Sequence, residues 1–211
     1  VTGVIYLDNA ATTALSPAAI QAMTKSMTVF GNPSSTHSHG REASKLLRQA
    51  REDIAQALHT QSNKILFTSG GTESNNTAIK GYALRYQNRG KHIVTTAIEH
   101  HAVLEVVEYL VDKFGFEATF VQPVDGQIRA KDIKKALRPD TILVSVMAVN
   151  NETGAMLPIK EIGELLQEHP AAFHVDAVQA IGKLPIYPDE LGIDFLSASA
   201  HKFHGPKGVG F

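Results

Sequence analysis

Between residues 65 and 199 the chain alternates short, continuous apolar runs with segments whose apolar residues recur at helical spacing, and this leaves few folds open. The runs are Ile65 to Thr68, His92 to Ala97, Ala118 to Val121, Thr141 to Val149, Ala172 to Val175 and Phe195 to Ser199. Between them, Leu104, Val107 and Val111 form one stripe, and Ile159, Ile162 and Leu166 another. A strand that is apolar on both sides must be covered on both faces, and an intervening helix brings the next strand back in parallel. The expectation is an α/β protein of three layers, with helices on either side of a mostly parallel sheet. Upstream, Ser16-Pro17 reads as a capping hydroxyl before a first-turn proline, opening a helix on which Ile20, Met23 and Met27 mark a buried face. A second helix carries Ala43, Leu47, Ala50, Ile54 and Leu58 on one stripe, and Gly31 to His37 between the two helices reads as a loop long enough to be functional. Gly205 to Phe211 reads as a turn followed by the opening of a further strand, so the chain is expected to be part of a longer protein.

Composition narrows the function classes. With 43% hydrophobic and 19% charged residues the chain can bury a core. Its net charge of -1 offers no excess to attract nucleic acid or an anionic membrane. No apolar run approaches the roughly 18 residues of a membrane span, and Val1 to Leu7 is too short for a signal-peptide core, so the expected compartment is the cytoplasm. The absence of cysteine excludes disulfides, thiolate metal ligation and a thiol nucleophile within these residues.

Ligands of open parallel sheets bind beyond the carboxyl ends of the strands, so the residues just past each run are the candidates for chemistry. After Phe67 comes Thr68-Ser69-Gly70-Gly71-Thr72-Glu73-Ser74-Asn75-Asn76, either a glycine turn capped by Thr72 or a cradle of free N–H groups for a phosphate. After Ile98 comes Glu99-His100-His101, where His100 suits a metal, a proton shuttle, a flat ligand or a purely structural bond, and His101 is expected at the surface. After Val149 comes Asn150-Asn151-Glu152-Thr153-Gly154, amide donors or a plain turn. Asp176 succeeds Val175 and either caps a helix or faces a cation, with Gln179 three positions on. Ser199-Ala200-His201-Lys202 ends the series with a lysine that either snorkels to solvent or, partly desolvated, forms a Schiff base.

Together these segments resemble the pyridoxal-phosphate enzymes of fold type I, and among them the cysteine desulfurases of the class-V aminotransferase family that serve iron-sulfur assembly. The resemblance runs from Tyr6-Leu7-Asp8-Asn9-Ala10-Ala11-Thr12-Thr13 through Gly31-Asn32-Pro33-Ser34-Ser35, Gly71 to Asn76, Glu99-His100, Val149 to Glu152, Asp176 with Gln179 and Ser199 to Lys202, to Gly205-Pro206-Lys207-Gly208. It implies that Lys202 holds pyridoxal 5'-phosphate through its amine and then acts as the acid-base group at the substrate α carbon, with Lys207 as turn scaffolding. Asp176 would face the ring nitrogen, Gln179 the ring oxygen, and Gly71, Thr72, Ser199 and His201 the phosphate. His100 would stack on the ring and assist proton transfer, and Asn151 would stand beside the incoming amino acid. The implied reaction turns L-cysteine into L-alanine and passes sulfur to an enzyme cysteine as a persulfide.

The chain departs from the family in having no such cysteine, which the resemblance would put beyond Phe211 with the carboxylate-binding arginine and most of a small domain. Residues 1–14 would belong with that small domain, and residues 15–211 would form a cofactor-binding large domain incomplete at its C-terminal end. On that reading the 211 residues alone do not complete sulfur transfer. A homodimer and sulfur-acceptor or scaffold proteins are the implied partners. The competing readings are another fold type I lyase or aminotransferase, such as a selenocysteine lyase or kynureninase-like protein, and a non-catalytic cofactor-binding scaffold. A nicotinamide site is weaker, because the turn after Phe67 lacks the dinucleotide glycine pattern.

Overall fold

The computed structural model describes residues 3–211; residues 1 and 2, part of the predicted N-terminal segment, lie outside the described residues. In chain order the helices are α1 (Pro17–Ser26), α2 (Ser38–Ala57), α3 (Gly71–Tyr86), α4 (His101–Phe114), α5 (Ala130–Ala136), α6 (Ile159–Leu166) and α7 (Pro188–Leu191). The strands are β1 (His92–Thr96), β2 (Glu117–Val121), β3 (Thr141–Met147), β4 (Ala172–Asp176) and β5 (Phe195–Ser197). They form a 5-stranded sheet in the order β2-β1-β3-β4-β5, with every pairing parallel.

Each face of the sheet is covered, as apolar strands require. On one side Phe173 and Val175 pack under the α6 stripe of Ile159, Ile162 and Leu166. On the other, Ile93 and Leu143 pack under Ile79 and Ala83 of α3 and Val103, Val107 and Leu110 of α4. The register brings Met147 of β3 level with Asp176 of β4, and Asp176 level with Ser197 of β5. Three carboxyl ends therefore finish side by side.

Several expectations are corrected. Ile65 to Thr68 is not a strand of the parallel sheet: Thr68 makes one antiparallel bridge to Gly210, and Leu66 is 60% exposed. Gly210 is the described residue placed to pair there, and it also bridges Ser199, so the segment gains a bridge rather than a ladder. The expected opening of a further strand is likewise reduced to isolated bridges at Gly210, with no strand after β5 among the described residues. α1 does start behind the Ser16 cap, whose Oγ accepts the Ala19 N–H. Its expected buried face is absent: Ile20 is 51% and Met27 77% exposed, because no described element packs over it. On α2 the stripe is buried at Ala43 and Leu58 and open at Leu47, since this helix lies on the turn at Ser62–Lys64 rather than on the sheet. β3 stops at Met147; Val149 instead bridges Met156. Among the described residues no helix is long and apolar enough to cross a membrane.

Candidate active site

A cavity of about 440 Å³ opens beyond the aligned ends of β3, β4 and β5. Every site residue nominated from the sequence lines it: Gly71, Thr72, His100, Asn151, Asp176, Gln179, Ser199, His201 and Lys202.

Asp176, the last residue of β4, forms the floor and is 5% exposed. Its Oδ1 accepts the Val178 N–H at 3.0 Å and its Oδ2 accepts Asn75 Nδ2 at 2.8 Å. Burial pushes this carboxyl above the usual range; the Val178 and Asn75 bonds, and then His100 and Lys202, oppose the shift. Asn75 Oδ1 is buried and has no partner.

α3 begins beside this floor with Gly70 as its N-cap, and a glycine supplies no capping side chain. The first N–H groups of the helix are therefore free, and the helix dipole adds positive potential there. A Cβ on Gly71 would stand 2.6 Å from Val178 Cγ2, so any larger residue would have to displace that side chain. The Glu73 carboxylate turns away to take the Ser69 N–H at 2.7 Å and its hydroxyl at 2.6 Å, and these bonds hold it below the ordinary carboxylate range. Ser199 is buried next to Gly70.

Lys202 sits in the turn Ala200–Lys202 that succeeds β5. Its Nζ donates to the carbonyl of Ala11 at 2.9 Å and to that of Ala10. Burial, and then the nearby Lys183 charge, lower its pKa, against the pull of Asp8 and Asp176. Gln179 Nε2 also donates to the Ala10 carbonyl, at 2.8 Å, and Lys183 Nζ donates to Gln179 Oε1 at 3.1 Å. His201 Nδ1 lies 3.0 Å from Thr12 Oγ1, and burial followed by the Lys202 and Lys207 charges lowers its pKa. Lys207 itself lies in an exposed turn.

His100 caps α4, its Nδ1 accepting the Ala102 N–H at 3.0 Å, and its ring is exposed to the cavity; His101 is exposed as expected. Asn151 Nδ2 donates to Glu152 Oε1 at 2.7 Å. Its neighbour Asn150 shapes the turn, with Oδ1 accepting the Glu152 and Thr153 N–H groups and Nδ2 reaching the Ile98 carbonyl at 2.9 Å.

The donor set thus combines free helix N–H groups, hydroxyls and an imidazole with a buried carboxylate and an amine of lowered pKa around one cavity. That set fits pyridoxal phosphate, with its anionic phosphate, basic ring nitrogen and aldehyde. Over residues 5–211 the sequence matches the family described as aminotransferase class-V. The chain belongs to that family. It is 53% identical over 209 residues to the cysteine desulfurase IscS of Dictyoglomus turgidum, a match covering 98% of this chain and 52% of that protein. The solved structure "SspA in complex with cysteine" superposes with a TM-score of 0.93 at 40% identity, over 98% of this chain and 60% of that one. A "NIFS-like protein" gives 0.93 at 42% identity, over 98% and 57%. The chain therefore spans about half the length of the curated relatives it matches. Its three-layer fold is that of the large domain of the fold type I pyridoxal-phosphate enzymes.

In this class-V aminotransferase chain three features escape the sequence. Asn75 stands in a motif with no role of its own legible there, although its place four residues after Gly71 on α3 puts it toward the sheet. Glu99 is likewise legible only as the residue before His100. The strap at residues 8–13 belongs to the resemblance, but its contacts are not legible there; it is held by partners near residue 201, with Thr13 Oγ1 donating to the His201 carbonyl at 2.9 Å and accepting the His204 N–H at 2.7 Å.

Proposed function

We propose that this chain is the cofactor-binding part of a pyridoxal-phosphate-dependent cysteine desulfurase. The observation that carries the reading is the convergence of Lys202, Asp176 and the uncapped start of α3 on one cavity. When bound, pyridoxal phosphate supplies an electron sink that makes bonds at the α and β carbons of an amino acid labile. Gly71 and Thr72 N–H groups, the Thr72 and Ser199 hydroxyls and His201 would hold the phosphate. Asp176 would keep the proton on the ring nitrogen, whose positive charge in turn favours the carboxylate against the effect of burial. Gln179 would turn from Ala10 to the ring oxygen, and His100 would cover the ring. The Lys202 amine, with its lowered pKa, would attach the cofactor, then take the substrate α proton and return it. Asn151 would orient the amino acid.

The reaction balances without an outside oxidant. L-cysteine and a thiol give L-alanine and a persulfide: the carbon-sulfur bond breaks, a sulfur-sulfur bond forms, the β carbon is reduced to a methyl group, and the sulfur is oxidised to the sulfane level. With no cysteine in the 211 residues, that thiol comes from outside them. The exposed apolar side chains Val4, Ile5, Leu7, Met27 and Phe30 support a second copy or the rest of the relatives' length as neighbours.

Borohydride reduction of the chain mixed with pyridoxal phosphate, followed by peptide mass mapping, tests the site. The expected result is label on Lys202, with the visible absorption band lost in Lys202→Ala. Label scattered over exposed lysines, with the band retained in Lys202→Ala, sinks the assignment. In the full-length protein, alanine released from cysteine distinguishes a desulfurase from an aminotransferase.

A further inference from the structure

Glu99 takes no part in the contacts above, yet it is buried beside the cavity almost as fully as Asp176, at 6% exposure. Its Oε1 accepts the Thr96 hydroxyl at 2.6 Å and the Met147 N–H at 3.0 Å, while its Oε2 is buried without a partner. The residues before it are tied on other sides, Ala97 N–H to the Val121 carbonyl at 3.0 Å and the Ile98 carbonyl to Asn150 Nδ2. His100 leaves this turn as the cap of α4. We propose that Glu99 is the positioning residue of the cavity: its carboxyl group clamps the turn that carries His100 to the end of β3, and so sets where the imidazole ring stands. For the use made of that ring, the inference rests on the cofactor reading.

The surroundings of the clamp set its charge state. β1 and β3 bring Thr96 and the Met147 amide, uncharged; α4 opens with His100 and His101; β4 contributes Asp176, the charged group that acts on Glu99. Burial pushes the Glu99 carboxyl up to about 8, with Asp176 adding to the rise and the Thr96 and Met147 bonds opposing it. A folded-state value raised above the ordinary 4.5 gives stability that is full below 4.5 and is lost as the pH rises through about 8. The clamp is therefore neutral at neutral pH, and it weakens in alkali. Glutamine keeps the acceptor Oε1 and carries no charge at any pH.

Amide hydrogen exchange on the ligand-free chain, read as protection factors from about pH 6 to about pH 9, tests the clamp independently of the cofactor. In Glu99→Ala the Met147 and Ala102 amides should lose at least about tenfold of their protection while the β4–β5 ladder holds. Glu99→Gln should match the wild type at neutral pH and keep above about pH 8 the protection that the wild type loses. Pyridoxal phosphate affinity adds a cycle: Glu99→Ala and His100→Ala should each weaken it about tenfold, and the double variant no further than either. Unchanged Ala102 protection in Glu99→Ala, a Glu99→Gln variant as loose as Glu99→Ala, or losses that add in the double variant would each overturn the proposal. A wild type without label at Lys202 would instead end the cofactor reading, with the exchange data still deciding whether Glu99 clamps the turn.

Discussion

Asp176 and Lys202 face the same cavity, but one is fixed from inside the sheet and the other from a strap near the N-terminus. Asp176 stands at the end of a strand paired on both sides, and its two oxygens are taken by Asn75 and by Val178 of its own turn. Lys202 and Gln179 are half-buried and are engaged by the carbonyls of Ala10 and Ala11, which belong to an exposed segment. The first wall has its geometry set by the core before any ligand arrives. The second has donors that must exchange one set of acceptors for another when a ligand binds. A site built this way keeps a rigid electrostatic floor and a lysine whose present partners are exchangeable.

If the floor is the rigid half, substitutions there should cost the most. Asp176→Ala leaves Asn75 Nδ2 and the Val178 N–H without their acceptor, at about 1–3 kcal/mol for each buried donor so stranded. For a chain of this size that lowers Tm by about 2–4 °C per kcal/mol. Asp176→Asn should recover much of the loss, because Asn75 can turn to present its unpartnered Oδ1, yet pyridoxal phosphate affinity should stay low for want of the charge. Thermal melts of both variants check this. If Asp176→Ala melts with the wild type, the floor is not held as described and the contrast with the strap disappears.

A smaller effect is expected where the floor meets α3. In Gly71→Ala the new Cβ would press on Val178 Cγ2 from 2.6 Å, and overpacking of this kind costs about 1–3 kcal/mol. Val178→Ala removes the obstructing methyl groups, so the double variant should melt above Gly71→Ala alone. Simple additivity would mean that the glycine is needed for something other than this close approach.

The same contrast explains what the sequence disclosed. The inner strands β1, β3 and β4 were legible because each is a short run buried along its whole length, a property that shows in the residues themselves, and β2 and β5 because each carries a short apolar run of its own. The strand-end rule then sufficed to nominate residues that line one cavity, since register alone aligns Met147, Asp176 and Ser197. Ile65 to Thr68 misled because its apolar run resembles the others, while its pairing depends on Gly210, far along the chain. The α1 face misled because spacing reports an apolar stripe and not whether anything covers it. Asn75 and Glu99 act through partners on other elements, Asp176 for the one and the Met147 amide for the other. The strap depends wholly on contacts between residues near 12 and residues near 202, which no local periodicity encodes.

The smallest expected change in stability, and the one most particular to the strap, comes from Thr13→Val. The side chain is buried and nearly isosteric with the original, so packing survives while the bonds to the His201 carbonyl and from the His204 N–H are lost. The cost should be about 1–3 kcal/mol, at the low end because the strap can yield to solvent. Exchange should quicken at Ala11 to Thr13 and remain unchanged in β4. With the strap loosened, the carbonyls of Ala10 and Ala11 compete less for the Lys202 amine, so borohydride trapping of pyridoxal phosphate at Lys202 should be at least as fast as in the wild type. Slower trapping would show that the strap serves as a wall of the binding site rather than as a competitor for the lysine, and the two halves of the cavity would then be equally built in.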